Sequence, residues 1–396
     1  MKVKILILFI LVGILSSLLR FGNRENNIAN VESDSDYYLD MAQVFAGQKA
    51  EINYKFLSGN EHHYNRPFLP FCAGILGHYV LNNNYPAAFS IINILAAIFI
   101  AYLFFIIVNS FYPTIKYPWF PSLLFLTAFS QMDWGYHILT ETIGLAFALG
   151  TCYFVYNLIC QIEKKGLESN KNYLYYKDWK VYLNIFLLFI IQILSFLARE
   201  TAFFVFIFLI YITLNRKLYN WKYLPLVVTL FSVFIIAKIP QSIYAQINNT
   251  HIPEISVNLS TMTDPGYILD TFIKLGLAFN IAWLIVIPAV FYLKKGKLTR
   301  IHEFIIGWSL AALGYIAAGY LHNKLDFGYP LRMFFSLFPL VYLIVIEFFE
   351  EKFNPPKLVY VLGLFFILHV GISVFGVILD SGTVSIHNIF DIFNTL

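Results

Sequence analysis

The sequence predicts an all-α, polytopic membrane protein of about eleven transmembrane helices with a long first extracytoplasmic loop, and three observations carry that expectation. Apolar residues make up 59% of the 396-residue chain and its mean hydropathy is +0.68, more hydrophobic surface than a soluble core of this length hides. Apolar runs long enough to cross a bilayer, or nearly so, recur at 3–19, 86–108, 117–131, 138–162, 181–198, 201–215, 223–240, 267–293, 303–321, 331–349 and 357–379. The aromatic content of 19%, with 41 Phe and 27 Tyr, fits lipid-facing packing and interfacial belts.

The first run follows Lys2 and Lys4 and reads as an uncleaved span, because no small-x-small cleavage site follows it closely. Behind it lies Glu32-Ser33-Asp34-Ser35-Asp36-Tyr37-Tyr38-Leu39-Asp40, four carboxylates in nine residues of a chain only 13% charged. Tyr38, Met41, Ala42 and Phe45 recur at helical spacing while Asp36, Asp40 and Gln43 fall on the other face, so a helix is expected here, with Gly47 as its stop. Two readings of its acids stay open. Asp34 or Ser35 caps the helix by accepting backbone N–H bonds, or Asp34 is a catalytic base at the membrane surface.

Residues 66–82 are apolar but hold Pro67, Pro70, Gly74, Gly77 and His78, so they either span or lie in the interface, and this decides the orientation. With 66–82 outside the bilayer core and the amino terminus cytoplasmic, seventeen of the 27 Lys and Arg fall inside. With 66–82 spanning and the amino terminus outside, twenty do. The first arrangement is preferred, because the first helix often sets topology and Lys2 and Lys4 flank it. It puts the acidic stretch on the outer face.

Ionisable groups at membrane depth are expensive and mark functional sites by default. In the preferred topology Arg66, Asp133, His137, Glu141, Arg199, Glu200, Lys238, Lys274, Lys324, Asp326 and Arg332 share the outer side with Asp34. Arg199, in Ser195-Phe196-Leu197-Ala198-Arg199-Glu200-Thr201, is suited to grip a phosphate with two parallel hydrogen bonds as Lys is not. A local pair with Glu200 or a snorkelling anchor is the competing reading. Arg332, after Gly328-Tyr329-Pro330, is a second phosphate candidate.

His137 and Glu141 stand four apart on one helix face. As metal ligands they need His62, His63 or a loop acid, and no recognised metal spacing is present, so a structural hydrogen bond is favoured over a metal. Cys72, Cys152 and Cys160 lie in apolar segments without a C-x-x-C, which points to packing. The net charge of +4 comes with no basic patch interleaved with aromatics, so nothing argues for nucleic acid, and membrane lipid is the expected surrounding.

On these residues the chain resembles the GT-C superfamily of integral-membrane glycosyltransferases, especially polyprenyl-phosphate-sugar-dependent enzymes of the dolichyl-phosphate-mannose or aminoarabinose transferase type. The resemblance rests on one span, a long outer loop with Asp34, Tyr38 and Ala42 at offsets of four and eight, the proline-containing stretch Asn65-Arg66-Pro67-Phe68-Leu69-Pro70, Thr140-Glu141-Thr142 opening a later span, and Arg199-Glu200-Thr201. It covers roughly the first 215 residues well and the remainder only in its pattern of spans. What it implies is a GT-C-like catalytic module at 1–215 including the outer loop 20–85, with juxtamembrane helices in that loop. Variable transmembrane helices follow at 216–396 with an outer loop at 241–266, and no separate soluble domain is expected.

The implied activity is inverting transfer of a sugar from a polyprenyl-phosphate donor to an acceptor hydroxyl at the outer membrane face, the acceptor being a glycan, a lipid or a protein. Asp34 is the implied base, with Asp36 as a second acid beside it. Arg199, Arg332, Arg66 and Lys324 are expected at the donor phosphate, and Glu141, His137, Tyr38, His62 and His63 around the site as organisers. No cofactor is expected beyond the lipid-phosphate-sugar substrate, and a divalent metal stays open. Three rivals remain: a structural or assembly subunit, a polymerase or ligase of lipid-linked glycans, and a transporter or flippase of a lipid-linked sugar. Against the last stands the lack of an inverted repeat or of paired Gly/Pro-broken spans.

Overall fold

The computed structural model describes residues 2–22, 33–50, 65–132, 140–168, 178–248, 276, 278–292, 299–321 and 333–380, with side chains left out at 18–22, 33–35, 166–168, 200, 290–292, 318–321 and 378–380. Every regular element among them is helical. Five helical segments are long and apolar enough to cross a membrane: Tyr85–Phe111, Glu141–Lys165, Trp179–Ala198, Leu224–Ile247 and Pro355–Val377. The chain is an integral membrane protein built from helices.

The amino-terminal run is helix α1 (Lys2–Gly22). The acidic stretch is α2 (Ser33–Phe45), and its faces match the periodicity. Tyr38, Met41 and Ala42 are buried, whereas Asp36 is exposed. Gly47, at φ +70°, ends it in the left-handed conformation that glycine adopts without penalty. Gly47 N–H donates to Val44 O at 3.0 Å and Gln48 N–H to Gln43 O at 2.9 Å, the paired bonds that satisfy the last carbonyls of a helix.

Helix α3 (Phe68–Tyr79) has twelve residues, about 18 Å at 1.5 Å each, too short to cross a bilayer. It packs along α2, and the contact is close because Gly74 lies against the main chain of Ala42. A Cβ at Gly74 would sit 2.5 Å from Ala42 O, which is backbone and has no side chain to swing aside. Gly74→Ala is therefore expected to lower stability by about 1–3 kcal/mol. Thermal unfolding in lipid or detergent checks this, and an unchanged midpoint would contradict the packing.

Helix α4 (Tyr85–Phe111) starts on Asn84, whose Oδ1 accepts from Ala87 N–H at 3.1 Å, and it packs against α1, α3, α5 (Phe120–Leu126) and α6 (Glu141–Glu168). Helix α7 (Trp179–Ala198) lies on α6 and ends at Arg199. A 3-10 turn (Glu200–Phe203) leads into α8 (Phe204–Asn215), followed by α9 (Leu224–Ala237) and α10 (Ile239–Ile247). Next come α11 (Ile281–Tyr292), α12 (Arg300–Leu321), a 3-10 turn (Phe335–Leu337), α13 (Phe338–Lys352) and α14 (Pro355–Asp380). Helix α12 packs on α8, and α13 on α11 and α5, around a core of Phe104, Phe125, Phe204, Trp308 and Tyr342.

These five segments coincide with five of the about eleven expected crossings, and among the described residues the backbone interrupts several of the other apolar runs. In the run at 117–131 the helix α5 stops at Leu126, and Thr127 and Ala128 lie outside any helix before helical residues resume at 129. The carbonyl of Leu124 is met at 3.1 Å by His369 Nε2 of α14. The runs at 201–215 and 331–349 each contain a 3-10 turn, and that at 267–293 carries Asn280 at φ +43° just before α11. Apolar composition records none of these interruptions.

At one end of α8, Arg216 gathers α6, α8 and α12. Its guanidinium pairs with Glu163 and Glu303, and Nη2 donates to Tyr156 Oη at 2.7 Å, while Asn215 Nδ2 donates to Glu303 Oε1 at 2.7 Å. Close by in the sequence, His302 Nε2 stands 2.9 Å from Glu347 Oε1 of α13, and Thr299 Oγ1 lies 2.7 Å from its Nδ1. The bond to Glu347 raises the His302 pKa above its ordinary value against the opposing effect of burial. A raised folded-state pKa means stability present below about pH 6.5 and lost as pH rises through the higher folded value. His302→Gln is accordingly expected to cost about 1 kcal/mol or less at pH 6 and nothing at high pH. Unfolding curves of both proteins across pH read this directly, and a gap that widens with pH would contradict it.

Candidate functional site

The opposite end of α8, some 25 Å from Arg216 by helical rise, holds the cluster that the sequence singles out. Helix α7 stops at Arg199, whose extended backbone (φ −170°, ψ 160°) turns the chain into the 3-10 turn. Arg199 N–H still donates to Ser195 O at 2.9 Å, and Gln192 Nε2 donates to Ala202 O at 3.0 Å, so the break is satisfied from within α7. The side chain of Arg199 points inward and is 3% exposed.

Three partners fix that guanidinium. Nη2 is 2.9 Å from Glu141 Oε1, Nη1 donates to Thr140 Oγ1 at 2.7 Å, and Nε and Nη2 donate to Tyr315 Oη at 3.4 and 3.2 Å. Thr140 also lies 3.4 Å from Tyr38 Oη. Tyr38 Oη accepts from Arg66 Nη1 at 3.0 Å. One continuous line of hydrogen bonds thus joins Arg66, Tyr38, Thr140 and Arg199, drawing together α2, the approach to α3, the start of α6, the end of α7 and the middle of α12.

The electrostatics follow from burial. Tyr38 is 1% exposed, and desolvation raises its pKa while Arg66 and Arg199 lower it and Glu141 raises it, with the net direction upward. The phenol stays neutral near pH 7 and spaces two guanidinium groups without cancelling them. Thr201 Oγ1 and Ser195 Oγ, both buried beside Arg199 in sequence, make no hydrogen bond among the described residues. Buried hydroxyls in folded proteins are normally hydrogen-bonded, so these two stand out.

Gly144, one turn into α6, sets the approach. A Cβ there would lie 2.8 Å from Arg199 Cβ, 3.0 Å from Arg199 Cδ and 2.7 Å from Thr201 Oγ1. Gly144→Ala is expected to displace Arg199 from Glu141 and to weaken whatever the guanidinium serves, at a stability cost of about 1–3 kcal/mol. Thermal unfolding in detergent checks this, and an unchanged midpoint would contradict the placement.

Of the residues expected at the site, Tyr38, Arg66, Glu141 and Arg199 come together. The expected local pair of Arg199 with Glu200 is not described, because the Glu200 side chain lies outside the described set. Asp34 occupies the first turn of α2, one turn before Tyr38, and its side chain is likewise not described. Asp36 is exposed. His62, His63, His137, Lys324 and Arg332 lie outside the described residues. Of the expected outer loop 241–266, residues up to Ile247 belong to α10 and 249–266 are outside the described set. Gln241 Nε2 of α10 donates to Asn65 O at 3.1 Å, which ties α10 to the residue preceding Arg66.

Sequence reasoning missed Thr140 and Tyr315 as partners of Arg199. Thr140 stands in the quoted Thr140-Glu141-Thr142, whereas Tyr315 lies inside an apolar run with no local signal. No group of three His, Cys, Asp or Glu is gathered at metal-binding distance among the described residues. Comparison with models of protein families, with curated proteins and with solved structures finds no match for this chain. Fold and site together define a helical integral membrane protein with a buried, arginine-centred polar cluster.

Proposed function

We propose that the chain is an inverting glycosyltransferase that moves a sugar from a polyprenyl-phosphate donor to an acceptor hydroxyl. The observation that carries this reading is the line Arg66–Tyr38–Thr140–Arg199, which brings two buried guanidinium groups to the helix that bears Asp34. Asp34 takes the proton of the acceptor hydroxyl as its oxygen bonds to the anomeric carbon, and the bond from that carbon to the phosphate oxygen breaks. The departing lipid phosphate keeps the bonding pair and needs fixed cations rather than a proton. Arg199 and Arg66 supply them, with Arg332 and Lys324 as further candidates.

Glu141 and Tyr315 hold the Arg199 fork in one orientation, which lowers the cost of binding an anion there. Tyr38 and Thr140 position rather than react. The site faces the outer side in this reading, with the amino terminus in the cytoplasm. Purified protein incubated with a panel of polyprenyl-phosphate sugars and acceptor extracts tests it, with mass spectrometry of the products. New glycosidic bonds are the expected result. Movement of intact donor across a liposome bilayer without bond formation would replace transferase by flippase.

A further inference from the structure

A second polar feature lies away from the arginine cluster and does not depend on the transfer reading. Two candidate spans, Glu141–Lys165 and Trp179–Ala198, leave the membrane side by side, since α6 and α7 pack along each other. Between these ends is a cavity of about 290 Å³. Leu158, Ile162, Val181 and Leu183 form its apolar part, while Gln161, Lys165, Asp178, Lys180 and Asn184 supply polar groups, with Trp179 beside them. An apolar part and a polar part in one cavity, at the level where spans end, match the two halves of a membrane lipid.

The charges at the cavity are set by a few specific contacts. Asp178 Oδ2 is paired with Lys165 Nζ at 2.7 Å, and its Oδ1 accepts from Lys180 N–H at 3.1 Å as the cap of α7. Among the described residues of this lining, that leaves the Lys180 ammonium as the positive charge in excess of the Asp178 carboxylate, set in the first turn of α7 where the helix dipole adds positive potential. Gln161 and Asn184 each bring both a donor and an acceptor. Trp179 is 66% exposed, the placement of an indole that sits at headgroup level.

We propose that this cavity is a binding site for the phosphodiester headgroup of an anionic phospholipid from the adjoining leaflet. The single negative charge of a phosphodiester matches the single excess positive charge, with Lys180 as its main partner and Gln161 and Asn184 bonding the remaining headgroup oxygens. Leu158, Ile162, Val181 and Leu183 receive the first carbons of the acyl chains. The fixed Lys165–Asp178 pair keeps the cavity from taking a second anion, so a phosphate of higher charge is disfavoured.

The test uses the full-length protein reconstituted in nanodiscs, with brominated lipids that quench tryptophan on contact. The signal assigned to the site is the part of the quenching that Trp179→Phe removes. It is expected to be several-fold larger with brominated phosphatidylglycerol than with brominated phosphatidylcholine, and Lys180→Glu is expected to erase that preference while leaving unfolding temperature unchanged. Lys180→Arg is expected to retain it. Equal quenching by the two lipids, or an undiminished preference in Lys180→Glu, overturns the proposal. Inorganic phosphate at millimolar concentration is the second arm. Loss of the lipid preference under it would identify a free-phosphate site in place of a lipid site and overturn the lipid assignment as well.

Discussion

Asp34→Asn is expected to lower sugar transfer by about 10² to 10⁴, the usual contribution of a placed general base. The substitution is nearly isosteric, and Asn is as good a helix cap as Asp, so a loss of capping does not explain a loss of turnover. Helix α2 is held by the burial of Tyr38, Met41 and Ala42, none of which changes. Membrane insertion and thermal midpoint are therefore expected to stay at wild-type values. Asp36→Asn, at an exposed position of the same helix, is the paired control and is expected to keep near-full activity. If the two variants exchange these outcomes, Asp36 is the base.

The second large effect is at Arg199, where two substitutions separate folding from function. Arg199→Ala removes the partner of Glu141 from a buried pair whose side chains are 3% and 14% exposed. Breaking such a pair typically costs about 3–5 kcal/mol, so this variant is expected to unfold at a lower temperature as well as to lose transfer. Arg199→Lys keeps the positive charge for Glu141 but loses the fork that reaches Thr140 and Tyr315 together. It is expected to stay folded and to lose about 10² to 10³ in transfer, as when a charge-stabilising donor is removed. A snorkelling anchor would show no such split, because lysine anchors as well as arginine.

Much of this site was readable in the chain before its structure. Arg199 and Glu141 stand out because charge beside apolar runs is costly, and the two prove to be partners. The buried face of α2 follows from the spacing of Tyr38, Met41 and Ala42, and its end from Gly47. Thr140 and Tyr315 were hidden for a different reason. A hydroxyl costs little on an apolar helix, so its position carries no signal until the helix carrying its partner is placed. Gly144 looks like any small residue of a span until Arg199 is seen against its Cα hydrogens.

Several of the expected apolar runs are interrupted for a physical reason as well. A hydropathy count sees that 117–131 and 331–349 are apolar, but not that the backbone leaves the α-helical path inside them. Residue 280 shows how little sequence marks such a break. Asn280 adopts φ +43°, its Oδ1 accepts from Ile281 N–H at 2.5 Å, and its Nδ2 donates to Ser373 Oγ of α14 at 2.8 Å. Only the neighbouring helix explains why the chain turns there.

Donor binding and transfer measured side by side on purified wild-type, Asp34→Asn and Arg199→Lys proteins test the central claim most directly, using a radiolabelled polyprenyl-phosphate sugar that the wild type accepts. Asp34→Asn should bind the donor as the wild type does and fail to transfer, while Arg199→Lys should lose donor affinity itself. Wild-type donor affinity in Arg199→Lys, together with undiminished transfer in Asp34→Asn, would contradict an anion site built on Arg199 beside a base on α2.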